Sequence, residues 1–263
     1  MSGNATSFTK AFEIDADWFI DPDHQQNNFT KLLEAVLETS VKHDHAIHFD
    51  STVPFLNQDE SWVITQNISM INQLPHYGDD IEVTTKIIQA NRFFLERWFE
   101  VRTRNVLLLE CQIQFAIINL ITRKMGRIDH KRMEELGLID SQQNVLKSKL
   151  LLSKEFNFWK KKNQVILAED IDFNNHVNNL VYINWAINSL PQWVNDHYHI
   201  KQLKIKYGHE LLSDQQVRIL SYSDNALDSY HAKDQITTYQ AIYNESQNQE
   251  AARIEIQWLK TET

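Results

Sequence analysis

The sequence predicts an α+β fold built from two tandem copies of one unit, each an antiparallel sheet curved around a long helix. Three observations predict it. The order of one strand, one long helix and about four strands occurs twice along the 263 residues. The β segments alternate apolar and polar residues between turn formers, as half-buried antiparallel strands do. The second long helical segment is apolar around most of its circumference, which implies burial on nearly all sides.

The first copy opens with order from Phe8 to about Ile20 and a strand around Phe12–Ile14. A helix follows from Phe29 to about Val41. Phe29, Leu32, Leu33, Val36, Leu37 and Val41 recur at helical spacing, and Asn28 or Thr30 is positioned to cap it. Trp62–Met70 reads as a strand. Tyr77-Gly78-Asp79-Asp80 reads as a turn, and Ile81–Ile87 alternates as a half-buried strand. Phe93–Arg102 and Leu107–Ile118 form an antiparallel pair around Thr103-Arg104-Asn105. Residues 122–149 are polar and charged, a connector with at most one short helix.

The second copy repeats the order. It has a strand over Phe156–Val165, a helix over Val177–Val194 bent or ended at Pro191, and strands over Ile200–Tyr207, Gln216–Tyr222, Ile236–Asn244 and Ala252–Leu259. The expected division is 1–149, the first unit with its connector, and 150–263, the second unit.

Composition excludes several classes. A net charge of -9 argues against a nucleic-acid binder, which needs a basic footprint. The single cysteine, Cys111, excludes an intramolecular disulfide and points to a reducing, cytoplasmic setting. The first residues show no cationic stretch followed by an apolar run, so no signal peptide is expected. No apolar run approaches the ~20 residues of a membrane span. Oligomeric state is left open, a homodimer included.

The most informative stretch is Asp170-Ile171-Asp172-Phe173-Asn174-Asn175-His176-Val177-Asn178-Asn179, placed directly before the buried helix. Leaving such polar groups buried and unpaired costs roughly 1–3 kcal/mol each. Three readings compete. Asp170, Asp172 and Asn174 open like a calcium loop, but Asn175 stands at the glycine position and Val181 at the bidentate glutamate position. Alternatively, Asn174 or Asn178 caps the helix and the rest solvates a loop. In the third reading, Asn174 and His176 sit at a helix N-terminus, where N–H groups and the dipole favour an oxyanion.

The run Asp172–Asn179, followed by Tyr182-Ile183 and Trp185, closely resembles the motif of plant and bacterial acyl-ACP thioesterases. Leu203-Lys204-Ile205-Lys206-Tyr207-Gly208-His209-Glu210 resembles the family's second active-site strand. Trp62-Val63-Ile64, Leu74-Pro75 with Gly78-Asp79, and Thr122-Arg123-Lys124 match in the first half. The resemblance covers about Phe8 to Leu259. It implies a double hotdog fold, two sheets each wrapping a helix. It also implies hydrolysis of the thioester of a fatty acyl chain carried on acyl carrier protein, with no metal or other cofactor.

Carried over by position, the resemblance implies Asp172, Asn174, His176 and Glu210 as the catalytic set. Where the plant enzymes carry a cysteine after that glutamate, this chain has Leu211, so water is the expected attacking group. Glu210, with His176, would act as base, Asn174 and helix-start N–H groups would hold the oxyanion, and Asp172 would orient the loop. His209 is expected on the opposite strand face from Glu210.

The first copy lacks the polar run, so the C-terminal copy is expected to carry the chemistry and the N-terminal copy much of the acyl pocket. The candidate lining residues are Leu33, Val36, Leu37 and Trp62, each of which also fits ordinary core packing. An acidic carrier needs a basic patch to meet it. The candidates are Arg123, Lys124, Arg127, Lys131 and Arg132, or the run Lys160-Lys161-Lys162. The alternatives weighed are an acyl-CoA thioesterase, a hydratase or dehydratase, and a non-catalytic acyl-binding sensor, all of which share the fold.

Overall fold

The computed structural model describes residues 6–21, 26–27, 29–49, 55–142, 145–146, 156–172, 174–224 and 233–261. The chain divides into two compact units, residues 1–147 and 148–263.

The first unit contains β1 (Ser7–Glu13), β2 (Phe19–Asp21), β3 (Gln26–Asn27), α1 (Phe29–Phe49), β4 (Glu60–Ile71), β5 (Asp80–Ala90), β6 (Leu95–Thr103), β7 (Val106–Asn119) and α2 (His130–Glu135). Among the described residues, β2 and β3 pair with each other in a separate two-stranded ladder. The main sheet is antiparallel in the order β1-β5-β6-β7-β4. β5 shows why the alternation was legible. Ile81, Val83, Thr85 and Ile87 are buried, while Asp80 and Glu82 face solvent. α1 packs on β5 and β1.

α1 ends at Phe49, about two turns beyond the expected Val41. The buried stripe runs from Phe29, Leu32, Leu33 and Val36 onto Thr39, Ser40, His43 and Ile47, whereas Val41 is 53% exposed and lies off it. Polar residues therefore continue the buried face where an apolar period stops. Partners make this tolerable. Thr39 Oγ1 donates to Ala35 O at 2.7 Å. His43 Nδ1 lies 3.0 Å from Arg97 Nη1 on β6, and Arg97 also pairs with Asp44. Burial lowers the Arg97 pKa and the Asp44 carboxylate opposes that shift. Of the two expected caps, Thr30 is buried inside the helix, and Asn28 lies outside the described residues.

The second unit contains β8 (Asn157–Gln164), a 3-10 turn at Ala168–Asp170, α3 (Asn179–Asn188), α4 (Gln192–His197), β9 (Tyr198–Tyr207), β10 (Val217–Ser223), β11 (Gln235–Asn244) and β12 (Gln249–Lys260). Its sheet is antiparallel in the order β8-β10-β11-β12-β9. If the β2–β3 pair is set aside, both units place their strands in the order first, third, fourth, fifth, second. The repeat read in the sequence is thus a repeat of topology.

The single helix expected over Val177–Val194 is two helices. Ser189 Oγ donates to Ala186 O at 2.7 Å and ends α3, and Pro191, lacking an N–H, starts the next segment. Leu180, Tyr182, Ile183, Trp185 and Ala186 are buried, and α3 packs against β12. Val177 is outside the helix: its N–H donates to Leu211 O at 2.9 Å.

Candidate active site

α3 starts where it does because Asn178 caps it, its Oδ1 accepting from the Leu180 N–H at 2.9 Å. Upstream, the polar run folds into a tight turn. Asp172 N–H donates to His176 O at 2.8 Å, and Asn175 N–H donates to Asp172 O at 3.0 Å. Asn175 takes a left-handed φ of 62°, a conformation that asparagine accepts more readily than most residues. The Asp172 carboxylate sits inside the turn, where its Oδ1 accepts from the N–H groups of Asn174 at 2.8 Å and of His176 at 3.3 Å. One side chain thereby fixes the backbone at both following positions of the motif. Asn174 is exposed and His176 is half-buried. Phe173 lies outside the described residues.

The opposing wall comes from the end of β9. Past Tyr207 the chain stays against β12 for two residues, with Gly208 N–H donating to Ala251 O at 2.8 Å and His209 N–H to Glu250 O at 3.1 Å. A Cβ at position 208 would stand 2.5 Å from Glu250 O, so only glycine fits this approach. The chain then turns toward α3. Leu211 is buried; its N–H donates to Tyr182 Oη at 3.2 Å and its carbonyl accepts from Val177 N–H. Tyr207 Oη donates to Asn179 O at 2.9 Å. Burial pushes the Tyr182 pKa up, with the Asp172 charge adding to the effect, so the phenol stays protonated.

Glu210 lies between these anchors, and its Oε2 is 3.3 Å from His176 Nε2. The His176 side chain is 21% exposed and that of Glu210 38%, so water reaches both. Glu210 is in the loop after β9 and not on the strand itself. Strand alternation therefore does not govern His209, which is exposed. The N–H groups of Asn174, Asn175, His176, Val177, Asn178 and Leu180 all donate within the protein. The exposed side chains of Asn174, Asn175 and Asn178 leave amide donors at the surface of this turn. Asp170 and Asp172, the opening positions of the calcium-loop reading, use carboxylate oxygens on the N–H groups of Leu167 and of Asn174 and His176.

Sequence reasoning missed the anchors Gly208, Tyr207 and Tyr182. The available signal was Gly208, one of five glycines in the chain, standing where the β9 alternation stops.

Cys111 lies on β7 with no exposed surface, and its Sγ donates to Asn67 Oδ1 at 3.2 Å. Burial pushes its pKa up to about 12, so it remains a thiol. Of the pocket candidates, Leu33 and Val36 are fully buried in the core and Leu37 is half-buried. Half-buried Trp62 lines a narrow slot in the first unit with Ile47, Phe55, Ile87, Leu95, Met133 and Leu138, and Asp44 and Arg97 form the polar part of its wall. In the basic run of β8, Lys161 pairs with Glu245 at 3.1 Å and Lys162 Nζ donates to Asn188 O at 3.4 Å.

The model of the acyl-ACP thioesterase N-terminal domain matches residues 5–136, and that of the C-terminal domain matches residues 156–260. A dodecanoyl-[acyl-carrier-protein] hydrolase of Umbellularia californica is 23% identical over 226 residues, covering 81% of this chain and 59% of that protein. A palmitoyl-acyl carrier protein thioesterase of Arabidopsis thaliana is 24% identical over 180 residues, covering 66% and 44%. The chain spans about half the length of the curated relatives it matches. Among solved structures, the 12:0-ACP thioesterase from U. californica has a TM-score of 0.79 at 21% identity, covering 97% of this chain and 94% of that one. An acyl-ACP thioesterase from Bacteroides thetaiotaomicron has a TM-score of 0.75 at 17% identity, covering 96% and 97%. The fold is the double hotdog, and with both domain models matched in order along the sequence, the chain belongs to the acyl-ACP thioesterase family.

Proposed function

We propose that the protein hydrolyses the thioester of fatty acyl chains carried on acyl carrier protein and releases the free fatty acid. The observation that carries this reading is the 3.3 Å approach of Glu210 to His176 beside a turn clamped by Asp172. A carboxylate and an imidazole in contact, both reached by solvent, form a base able to take a proton from water. The hydroxide oxygen bonds to the thioester carbonyl carbon. The Asn174 amide, exposed beside the His176–Glu210 pair's turn, donates to the oxyanion. The tetrahedral intermediate then collapses, the C–S bond breaks, and the proton held by the His176–Glu210 pair goes to the departing thiolate. Asp172 is a positioning residue.

The N-terminal unit supplies acyl-binding surface, with Trp62 at the slot and Leu33, Val36 and Leu37 in the packing behind the α1 face. The single buried thiol suits a reducing compartment such as cytoplasm, and no helix among the described residues is long and apolar enough to cross a membrane. The test is product analysis after incubation with acyl-ACPs of graded length, alongside acyl-CoA of the same length. Release of free fatty acid from acyl-ACP, abolished by Glu210→Gln, is the expected result. Absence of release at every length removes the proposal, and faster release from acyl-CoA reassigns the substrate.

A further inference from the structure

The turn after β7 and the first residues of α2 hold five cations, Arg123, Lys124, Arg127, Lys131 and Arg132, with Asp129 the carboxylate among them and Glu134 and Glu135 following on α2, in a chain of net charge -9. Asp129 is occupied, its Oδ1 accepting from the Arg132 N–H at 3.2 Å as the cap of α2. Lys124, Arg127 and Lys131 are exposed and have no carboxylate partner among the described residues. At the same tip Leu120, Ile121 and Met125 are 43%, 73% and 52% exposed, an unusual concentration of large apolar side chains in water.

The tip is built to hold that shape. Asn119 Oδ1 accepts from the Thr122 N–H at 2.7 Å, from Thr122 Oγ1 at 2.9 Å and from the Ile121 N–H at 3.2 Å. Asn119 N–H donates to Lys124 O, and Gly126 N–H donates to Ile117 O. A preorganised apolar tip with exposed Lys124 and Arg127 beside it, and exposed Lys131 following on α2, matches a partner with an apolar stripe edged by carboxylates, and it binds without a large ordering cost. In the other basic run Lys161 is paired to Glu245 and Lys162 reaches a backbone carbonyl, which leaves fewer cations there for a partner although Phe158 and Val165 are also exposed.

We propose that this turn with the start of α2, Ile121 with Lys124, Arg127 and Lys131, is the docking surface for the acidic acyl carrier protein; the proposal rests on the thioesterase reading above. The carrier's carboxylates face the three cations, and its apolar surface covers Ile121, Leu120 and Met125.

The test compares wild type with a triple variant, Lys124→Glu, Arg127→Glu, Lys131→Glu. Two readouts are used: Kd for holo-carrier protein by titration, and kcat/KM on acyl-ACP against acyl-pantetheine, which carries no protein. The expected result is Kd and kcat/KM on acyl-ACP each worse by about tenfold or more at low salt, a gap that narrows as salt rises, and unchanged hydrolysis of acyl-pantetheine. An unchanged Kd overturns the proposal. An equal loss on both substrates also overturns it, because that marks damage to the site. Loss of binding to phosphatidylglycerol vesicles with kcat/KM on acyl-ACP intact assigns the turn to a lipid surface instead. Failure of the thioesterase reading shows separately, as no fatty acid released by wild type from either substrate, while the Kd comparison still reports on docking.

Discussion

His176 Nε2 stands 3.3 Å from Glu210 Oε2 although 33 intervening positions of chain separate the residues. His176 is held by the turn closed on Asp172, and Glu210 by the tether of Leu211 to Val177 and Tyr182. If this pair is the base, Glu210→Gln keeps the shape and removes the charge. The expected loss in kcat is ~10²-fold or more, with His176→Ala comparable and the melting temperature of the Gln variant nearly unchanged. Near-normal turnover by Glu210→Gln would falsify the catalytic assignment.

Asp172 acts on backbone, so its variants should separate charge from geometry. Asp172→Ala removes the acceptor of two N–H groups and is expected to cost about 1–2 kcal/mol of stability together with a large fall in kcat. Asp172→Asn retains an acceptor oxygen and should recover most of both. Paired thermal melts and kinetics on the two variants check this, and equal damage by Asn and Ala would assign Asp172 a role through its charge.

Gly208→Ala places a methyl group 2.5 Å from Glu250 O, and both atoms belong to the chain that carries or braces Glu210. A backbone shift is unavoidable. The expected outcome is roughly 1–3 kcal/mol of destabilisation and a drop in kcat larger than the change in KM. Wild-type kinetics in Gly208→Ala would show that Glu210 tolerates movement of its tether.

Cys111 gives a prediction about pH. Burial raises its pKa in the folded state to about 12, above the ordinary thiol value, so the folded protein holds that proton more tightly than the unfolded chain. Its contribution to stability is complete below the ordinary thiol pKa and is lost as pH rises from there toward about 12. Cys111→Ala should therefore soften alkaline unfolding and leave kcat intact. Iodoacetamide at pH 8 should label the wild-type protein only after denaturant is added.

The slot at Trp62 predicts a change in chain-length preference. Trp62→Ala enlarges it and should move the product profile toward longer acyl chains, while Met133→Trp narrows it and should shorten them. Profiles by gas chromatography that stay fixed in both variants would move the acyl pocket elsewhere.

The sequence alone determined the repeated α+β order, because apolar alternation in strands such as Ile81–Ile87 and the all-round apolar character of Leu180–Ala186 are set by local side-chain chemistry and by burial. It also marked the polar run from Asp170 to Asn179, a density of polar side chains beside a buried helix that calls for capping, binding or catalysis. Only the tertiary structure decided the rest. α1 outran its apolar pattern because Arg97, from a strand distant in sequence, supplies a buried partner for His43 and Asp44. The position of Glu210 rests on a backbone approach between Gly208 and Glu250 and on the hydroxyl of Tyr182; Gly208 marks the site in the sequence, but its partners in those contacts are set only by the fold. Residue types fix which faces are buried, but hydrogen bonds between segments far apart in the chain fix where a carboxylate ends.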